Sequence, residues 1–232
     1  EQDLVHRQKP TFVNGVYLVW RSLPSLSSVS IGKVSREAPR NAPPPRLERG
    51  ARAPLAASLR FFGQEAVGHR FAFILDRSGS MRGRRWDACM KQLVQTLRSL
   101  PEHTEFFVVL FASHHIEPQG QTGWMPAERS SVDAVITWLG GIWPGGGTEP
   151  ASAFRRVFSL PSAPDVVYFL TDGEIEGFTA SSCAELRGSA PTIINTIALE
   201  SGVSADLLRE TAEASGGQFI LVADASNAEV NG

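Results

Sequence analysis

From residue 61 onward, short and nearly continuous apolar runs recur at 71–75, 106–111, 166–170, 193–199 and 219–222. Each has the length of a strand and lacks the strict polar alternation of a half-exposed one, so the pattern predicts strands covered on both faces. Helical spacing fills the gaps. Trp86, Met90, Leu93, Val94 and Leu97 share one face of a helix over 86–100, which Pro101 stops. Ser130 and Asp133 form a capping-box pattern ahead of Val135, Ile136, Trp138 and Leu139, which predicts a second helix. A third is expected just after Thr148, with Pro150 in its first turn and Ala153, Phe154, Val157 and Phe158 on its apolar face. Ser204 is placed to cap a last helix through Ala214, ended by Gly216 and Gly217. Strands alternating with helices in this way read as βα units that build a parallel sheet.

The first sixty residues follow a different pattern. Strand-like runs at 16–20 and 29–34 precede a Pro-, Arg- and Ala-rich stretch over 36–57, in which Pro43, Pro44 and Pro45 exclude a helix or a central strand. Charge marks the same division: ten Lys/Arg against four Asp/Glu up to residue 60, and twelve against twenty after it. The expected organisation is a basic, proline-rich extension over 1–60 and one domain over 61–232. No aromatic residues interleave with the arginines of the arm as base-stacking platforms would, so no nucleic-acid partner is expected. No apolar run approaches the ~18 residues of a membrane-spanning helix. The chain starts at Glu1 and shows no leader, and it reads as a mature form or an excised part of a longer product. Cys89 and Cys183 have no metal-knuckle spacing, and His114 and His115 read as an exposed loop pair without a third nitrogen or sulfur ligand.

Candidate chemistry gathers at the ends of the expected strands, where open α/β sheets collect ligands. Asp76, Ser78 and Ser80 follow the first apolar run, Thr148 follows the glycines 145–147, and Asp172 stands in Thr171-Asp172-Gly173 after the third run. Carboxylates and hydroxyls are hard oxygen donors, which suit Mg2+, with Mn2+ or Ca2+ as alternatives. Asp76 could instead be the nucleophile of a metal-dependent phosphohydrolase. Such enzymes want a second Asp two residues on, where this chain has Ser78, and a well-placed lysine, whereas the lysines here are Lys9, Lys33 and Lys91.

The ordered set Asp76-Arg77-Ser78-Gly79-Ser80, Thr148 and Thr171-Asp172-Gly173 resembles the metal-ion-dependent adhesion site of von Willebrand factor type A domains, over about residues 66 to 225. The resemblance implies a Rossmann-like three-layer α/β/α sandwich with a mostly parallel sheet and one short antiparallel edge strand. It further implies that Ser78, Ser80 and Thr148 contact the metal, that Asp76 and Asp172 complete or orient the site, and that a partner protein presents Asp or Glu to the ion. A non-enzymatic binding module is then expected, and an accessory subunit of a partner ATPase or chaperone complex is the alternative. No phosphate-binding GxxxxGK[ST] loop occurs in the chain, so such an ATPase would be a separate protein. Arg77, Arg82, Arg84 and Arg85 should make the rim of the site locally positive, with Glu149, Glu174 and Glu176 opposing them and Trp143 as a candidate apolar anchor.

Overall fold

The computed structural model describes residues 55–173, 175, 177–200 and 204–223, and, among the first fifty, a two-stranded antiparallel hairpin of Phe12–Val13 (β1) and Val16–Tyr17 (β2). The chain divides into two units, Glu1–Gly50 and Ala51–Gly232. The strand expected over 29–34 and most of the proline-rich arm lie outside the described residues, as do Glu174 and Glu176.

The larger unit opens with an antiparallel hairpin that was not expected from the sequence, Ala57–Phe61 (β3) and Gln64–Gly68 (β4), which spans the boundary expected near residue 60. Burial alternates along both strands, the period of a ribbon with one covered face. Its two-residue turn holds Phe62 at φ 48° and Gly63 at φ 81°, the pair of positive values that matches hairpin twist. The hairpin is fastened by polar groups as well as by packing. Gln64 Nε2 donates to Gln218 O at 2.7 Å, Tyr168 Oη to Leu59 O at 3.1 Å, and Thr96 Oγ1 to Arg60 O at 3.2 Å.

Next come Arg70–Asp76 (β5), Arg84–Ser99 (α1), Glu105–Phe111 (β6), His115–Ile116 (β7), Met125–Pro126 (β8), Arg129–Leu139 (α2), Ala151–Phe158 (α3), Val166–Thr171 (β9), Ala180–Arg187 (α4), Ile193–Leu199 (β10), Ala205–Glu213 (α5) and Phe219–Val222 (β11). The sheet order is β11-β10-β9-β5-β6-β7, with β8 also on β6. Neighbours from β11 to β6 are parallel, and β7 and β8 run antiparallel to β6. This is the expected Rossmann-like sandwich, with its antiparallel edge made of two fragments. His115 therefore belongs to an edge strand and not to a loop pair.

Successive strand residues point to opposite faces, and the core divides accordingly. Phe71, Phe73 and Leu75 pack with Cys89, Leu93 and Leu97 of α1, Val132, Val135 and Leu139 of α2, and the β3–β4 hairpin. Ala72 and Ile74 pack with Phe154 and Val157 of α3, Cys183 of α4 and Leu208 of α5. The helix ends depart in part from the sequence patterns. α2 starts at Arg129 with Glu128 as its N-cap, so Ser130 already lies inside the helix and the expected capping box does not form. Ser204 does stand at the N-cap of α5, but its hydroxyl accepts from Ile175 N at 3.0 Å instead of from the helix. The apolar spacing does not predict α4, which has a single buried residue, Cys183, and starts from a Thr179–Ser182 capping box.

Between the two edge fragments the ladder on β6 would be open at Val108. Gln121, 3 % exposed, closes it: Oε1 accepts from Val108 N at 3.0 Å and Nε2 donates to Val108 O at 2.8 Å. A side-chain amide thus replaces a strand residue. Gln121→Leu should strip both buried backbone groups of their partner and cost about 2 kcal/mol. Urea unfolding tests this, and an unchanged midpoint would remove the assignment.

Candidate functional site

The site is built where β5 and β9 lie side by side. The connection leaving β5 passes through α1 on one face of the sheet, while the one leaving β9 passes through α4 on the other, so the two diverge beyond the carboxyl ends of these strands. Asp76 ends β5 and is 0 % exposed. Its Oδ1 accepts from Ser78 N at 2.6 Å and its Oδ2 from Thr171 Oγ1, the last residue of β9, at 2.6 Å. The hydroxyls of Ser78 and Ser80 lie 3.0 Å apart, and Ser80 Oγ donates to Asp172 Oδ1 at 2.8 Å. One chain of polar contacts therefore links Asp76, Ser78, Ser80 and Asp172. Asp76 and Ser78 are buried and Ser80 is exposed, so the cluster opens outward at Ser80. Burial pushes the Asp76 carboxyl up to about pKa 6, against the opposing pull of the Thr171 and Ser78 hydrogen bonds.

Thr148 reaches the same end of the sheet on a loop fastened to the Asp76–Ser80 turn. Gly145 N donates to Arg77 O at 2.7 Å and Gly79 N to Gly146 O at 3.1 Å. Ser113 braces the loop from beneath, its Oγ accepting from Gly147 N at 2.9 Å, and Glu149 N donates to Ala112 O at 2.8 Å. Thr148 is half-buried, and its side chain hydrogen-bonds none of the other four motif residues. The structure thus draws four motif residues into one cluster and brings the fifth in through its backbone loop.

The sequence profile of the von Willebrand factor type A domain matches residues 69–220, which hold the whole cluster and all but the last two residues of its supporting sheet. The chain belongs to the von Willebrand factor type A family. It is 28 % identical over 163 residues to a von Willebrand factor A domain-containing protein of Dictyostelium discoideum, covering 68 % of this chain and 18 % of that relative. The chain thus spans less than a fifth of the relative's length. Among solved structures, a von Willebrand factor type A protein from Catenulispora acidiphila superposes with a TM-score of 0.62 at 20 % identity, over 71 % of this chain and 41 % of that one. Proximal thread matrix protein 1 from the mussel byssus superposes with a TM-score of 0.56 at 18 % identity, over 68 % of this chain and 42 % of that one.

Around the cluster of this type A domain the candidate rim residues separate into two groups. Arg82 and Arg84 are exposed, and Arg82 Nε donates to Pro144 O at 3.3 Å. Trp143, which precedes Pro144 in the chain, is 81 % exposed, the largest such fraction among the exposed large apolar residues described. Glu149 is also exposed. Arg77, by contrast, is half-buried and its Nη1 donates to Gly145 O of the loop that carries Thr148, and Arg85 turns inward to Asp172. The two thiols take no part: Cys89 and Cys183 are buried, and burial pushes both up, Cys183 to about 12. Ser113 and Glu200 are supporting residues that the sequence did not single out. Thr171 stands in the motif itself, and the structure gives it a role as the donor to Asp76 Oδ2. Among the described residues, no helix is long and apolar enough to cross a membrane.

Proposed function

We propose that the chain is a metal-dependent protein-binding module: Ser78, Ser80 and Thr148 hold Mg2+, with Mn2+ or Ca2+ as alternatives, Asp76 and Asp172 complete or orient the site, and a partner protein presents Asp or Glu to it. The hydrogen-bonded run from Asp76 to Asp172, open to solvent at Ser80, supports this reading most strongly. Its donors fit such an ion, being all oxygen and including two carboxylates. The raised Asp76 carboxyl fits as well, because a buried carboxylate that its hydrogen bonds do not fully compensate is offset by a nearby positive charge. When bound, the ion supplies an electron-poor position that an outside carboxylate can occupy.

The chain's own residues prepare that position. Asp76 fixes the backbone of Ser78, Thr171 fixes Asp76, and the loop carrying Thr148 is locked to the Asp76–Ser80 turn. Arg82 and Arg84, which make no ion pair among the described residues, favour an acidic partner, most strongly at low salt. Trp143 offers an apolar contact at the same rim. A nucleophilic Asp76 fits poorly, since its side chain is fully buried and both oxygens are engaged, so we read the module as non-enzymatic.

Titration calorimetry with Mg2+ or Mn2+ should show one site, weakened about tenfold in Ser80→Ala, which loses a donor to Asp172 along with a ligand. No heat from the wild type, or equal affinity in the variant, would remove the site assignment. Partner capture should fail in the presence of a chelator and in Ser80→Ala; capture indifferent to both would point to a metal-independent scaffold.

A further inference from the structure

Arg85, in the first turn of α1, reaches over the cluster and takes three acceptors. Nη1 donates to Asp172 Oδ2 at 2.8 Å and to Ser80 O at 3.0 Å, and Nη2 donates to Glu200, the residue after β10. The two oxygens of Asp172 are thereby divided, Oδ1 to the Ser80 hydroxyl and Oδ2 to the guanidinium. The Asp172 side chain is 0 % exposed, so solvent does not compete for either oxygen. A flat guanidinium fork can grip several acceptors in fixed directions, which a lysine ammonium cannot. Glu200 stands at φ 69°, in the left-handed region uncommon outside glycine, and its N–H donates to Val222 O at 2.8 Å. Its carboxylate balances the guanidinium, so Arg85 can orient Asp172 without adding net positive charge beside the cluster.

Resting on the ion-site reading above, we propose that Arg85 is a positioning residue that holds Asp172 Oδ2 and leaves Oδ1, bound by the rotatable Ser80 hydroxyl, as the oxygen open to an ion, and thereby sets the site's preference for a small six-coordinate ion over a larger one. Mg2+ demands a near-octahedral shell, whereas Ca2+ accepts six to eight oxygens and readily takes both oxygens of one carboxylate. A guanidinium bound to the second oxygen takes one of its lone pairs and fixes the carboxylate's orientation, which disfavours chelation through both oxygens. Charge alone makes the opposite forecast: a neighbouring cation weakens every divalent ion alike, so its removal should tighten all of them equally.

The test is calorimetry of Mg2+ and Ca2+ binding to the 232-residue chain as wild type, Arg85→Gln and Arg85→Lys. Arg85→Gln should shift the affinity ratio toward Ca2+ by about tenfold, by freeing Asp172 Oδ2. Arg85→Lys should shift it the same way, because the charge remains and the fork is lost. Equal tightening of both ions in the Gln variant with no change in the Lys variant would show a counter-charge only. Equal weakening of both ions, together with a lowered Tm in chelator, would show a purely structural residue; either outcome overturns the proposal. Should Arg85→Gln fail to fold, Arg85→Lys carries the test. A wild type that binds neither ion overturns the ion-site reading itself, whereas a wild type that binds with an unchanged ratio in both variants overturns only the role of Arg85.

Discussion

Asp76→Asn should abolish divalent-ion binding and yet make the chelated protein more stable, by about 2 to 3 kcal/mol near pH 7.5. Asparagine keeps the shape and can still accept from Ser78 N, while Thr171 Oγ1 can turn from donor to acceptor for the new amide. What disappears is a charge at a fully buried position. Burial raises the Asp76 carboxyl from its ordinary 3.8 to about 6. Between those values the folded chain keeps a proton that the unfolded chain has released, so stability falls as pH rises through that window and the penalty is complete above it. Chelated wild type should therefore gain stability between about pH 7 and pH 5 from this group, and Asp76→Asn should lack that component. Ion binding should weaken below about pH 6, as Asp76 takes up its proton. Urea unfolding at both pH values, with and without Mg2+, reads all of this. An asparagine variant less stable than chelated wild type at pH 7.5, or one still stabilised by Mg2+, would refute the account. The buried carboxylate is then a stability cost that the site retains for binding.

The five strands of the parallel ladder and the motif residues at their ends were legible in the sequence for one physical reason, whereas Thr148 was marked by the glycines before it. A parallel strand covered on both faces must be continuously apolar, so its polar end stands out, and Asp76 and Asp172 mark two such ends. The β3–β4 hairpin left no such mark. Its turn is Phe62-Gly63 where Asn-Gly would have announced it, and its outward residues, Ser58, Arg60, Glu65 and the apolar Val67, do not set it off from the Pro-, Arg- and Ala-rich stretch before it. The edge of the sheet was equally silent, because Gln121 completes it with a side chain that no strand pattern contains. The arginines were legible as charge but not as direction. Counting placed Arg77, Arg82, Arg84 and Arg85 on one rim, whereas contacts with residues far along the chain, Asp172 and Glu200, turn Arg85 inward.

Gly217→Ala should cost about 4 kcal/mol or more, and leave little folded protein, while Gly216→Ala costs about 1 kcal/mol. Both glycines were expected for one purpose, to end the last helix. Gly216 serves it: its φ is 77°, and a Cβ added there would meet nothing within 4 Å, so alanine suffers only the left-handed backbone. Gly217 answers a different demand. A Cβ there would stand 2.0 Å from Ile194 O and 2.6 Å from its carbonyl carbon. That carbonyl belongs to β10, which is paired with β9 on one side and β11 on the other, so the strand cannot yield without breaking ladders. The glycine's own N–H is bound to Ala212 O at 2.9 Å, and Ser215 Oγ accepts from Ile194 N at 2.9 Å, so neither backbone can rotate away alone. Circular dichroism and urea midpoints of the two variants decide the matter. Similar small losses in both would mean that α5 does not approach β10 this closely, and a large loss confined to Gly217 would show that the second glycine is required by contact and not by conformation.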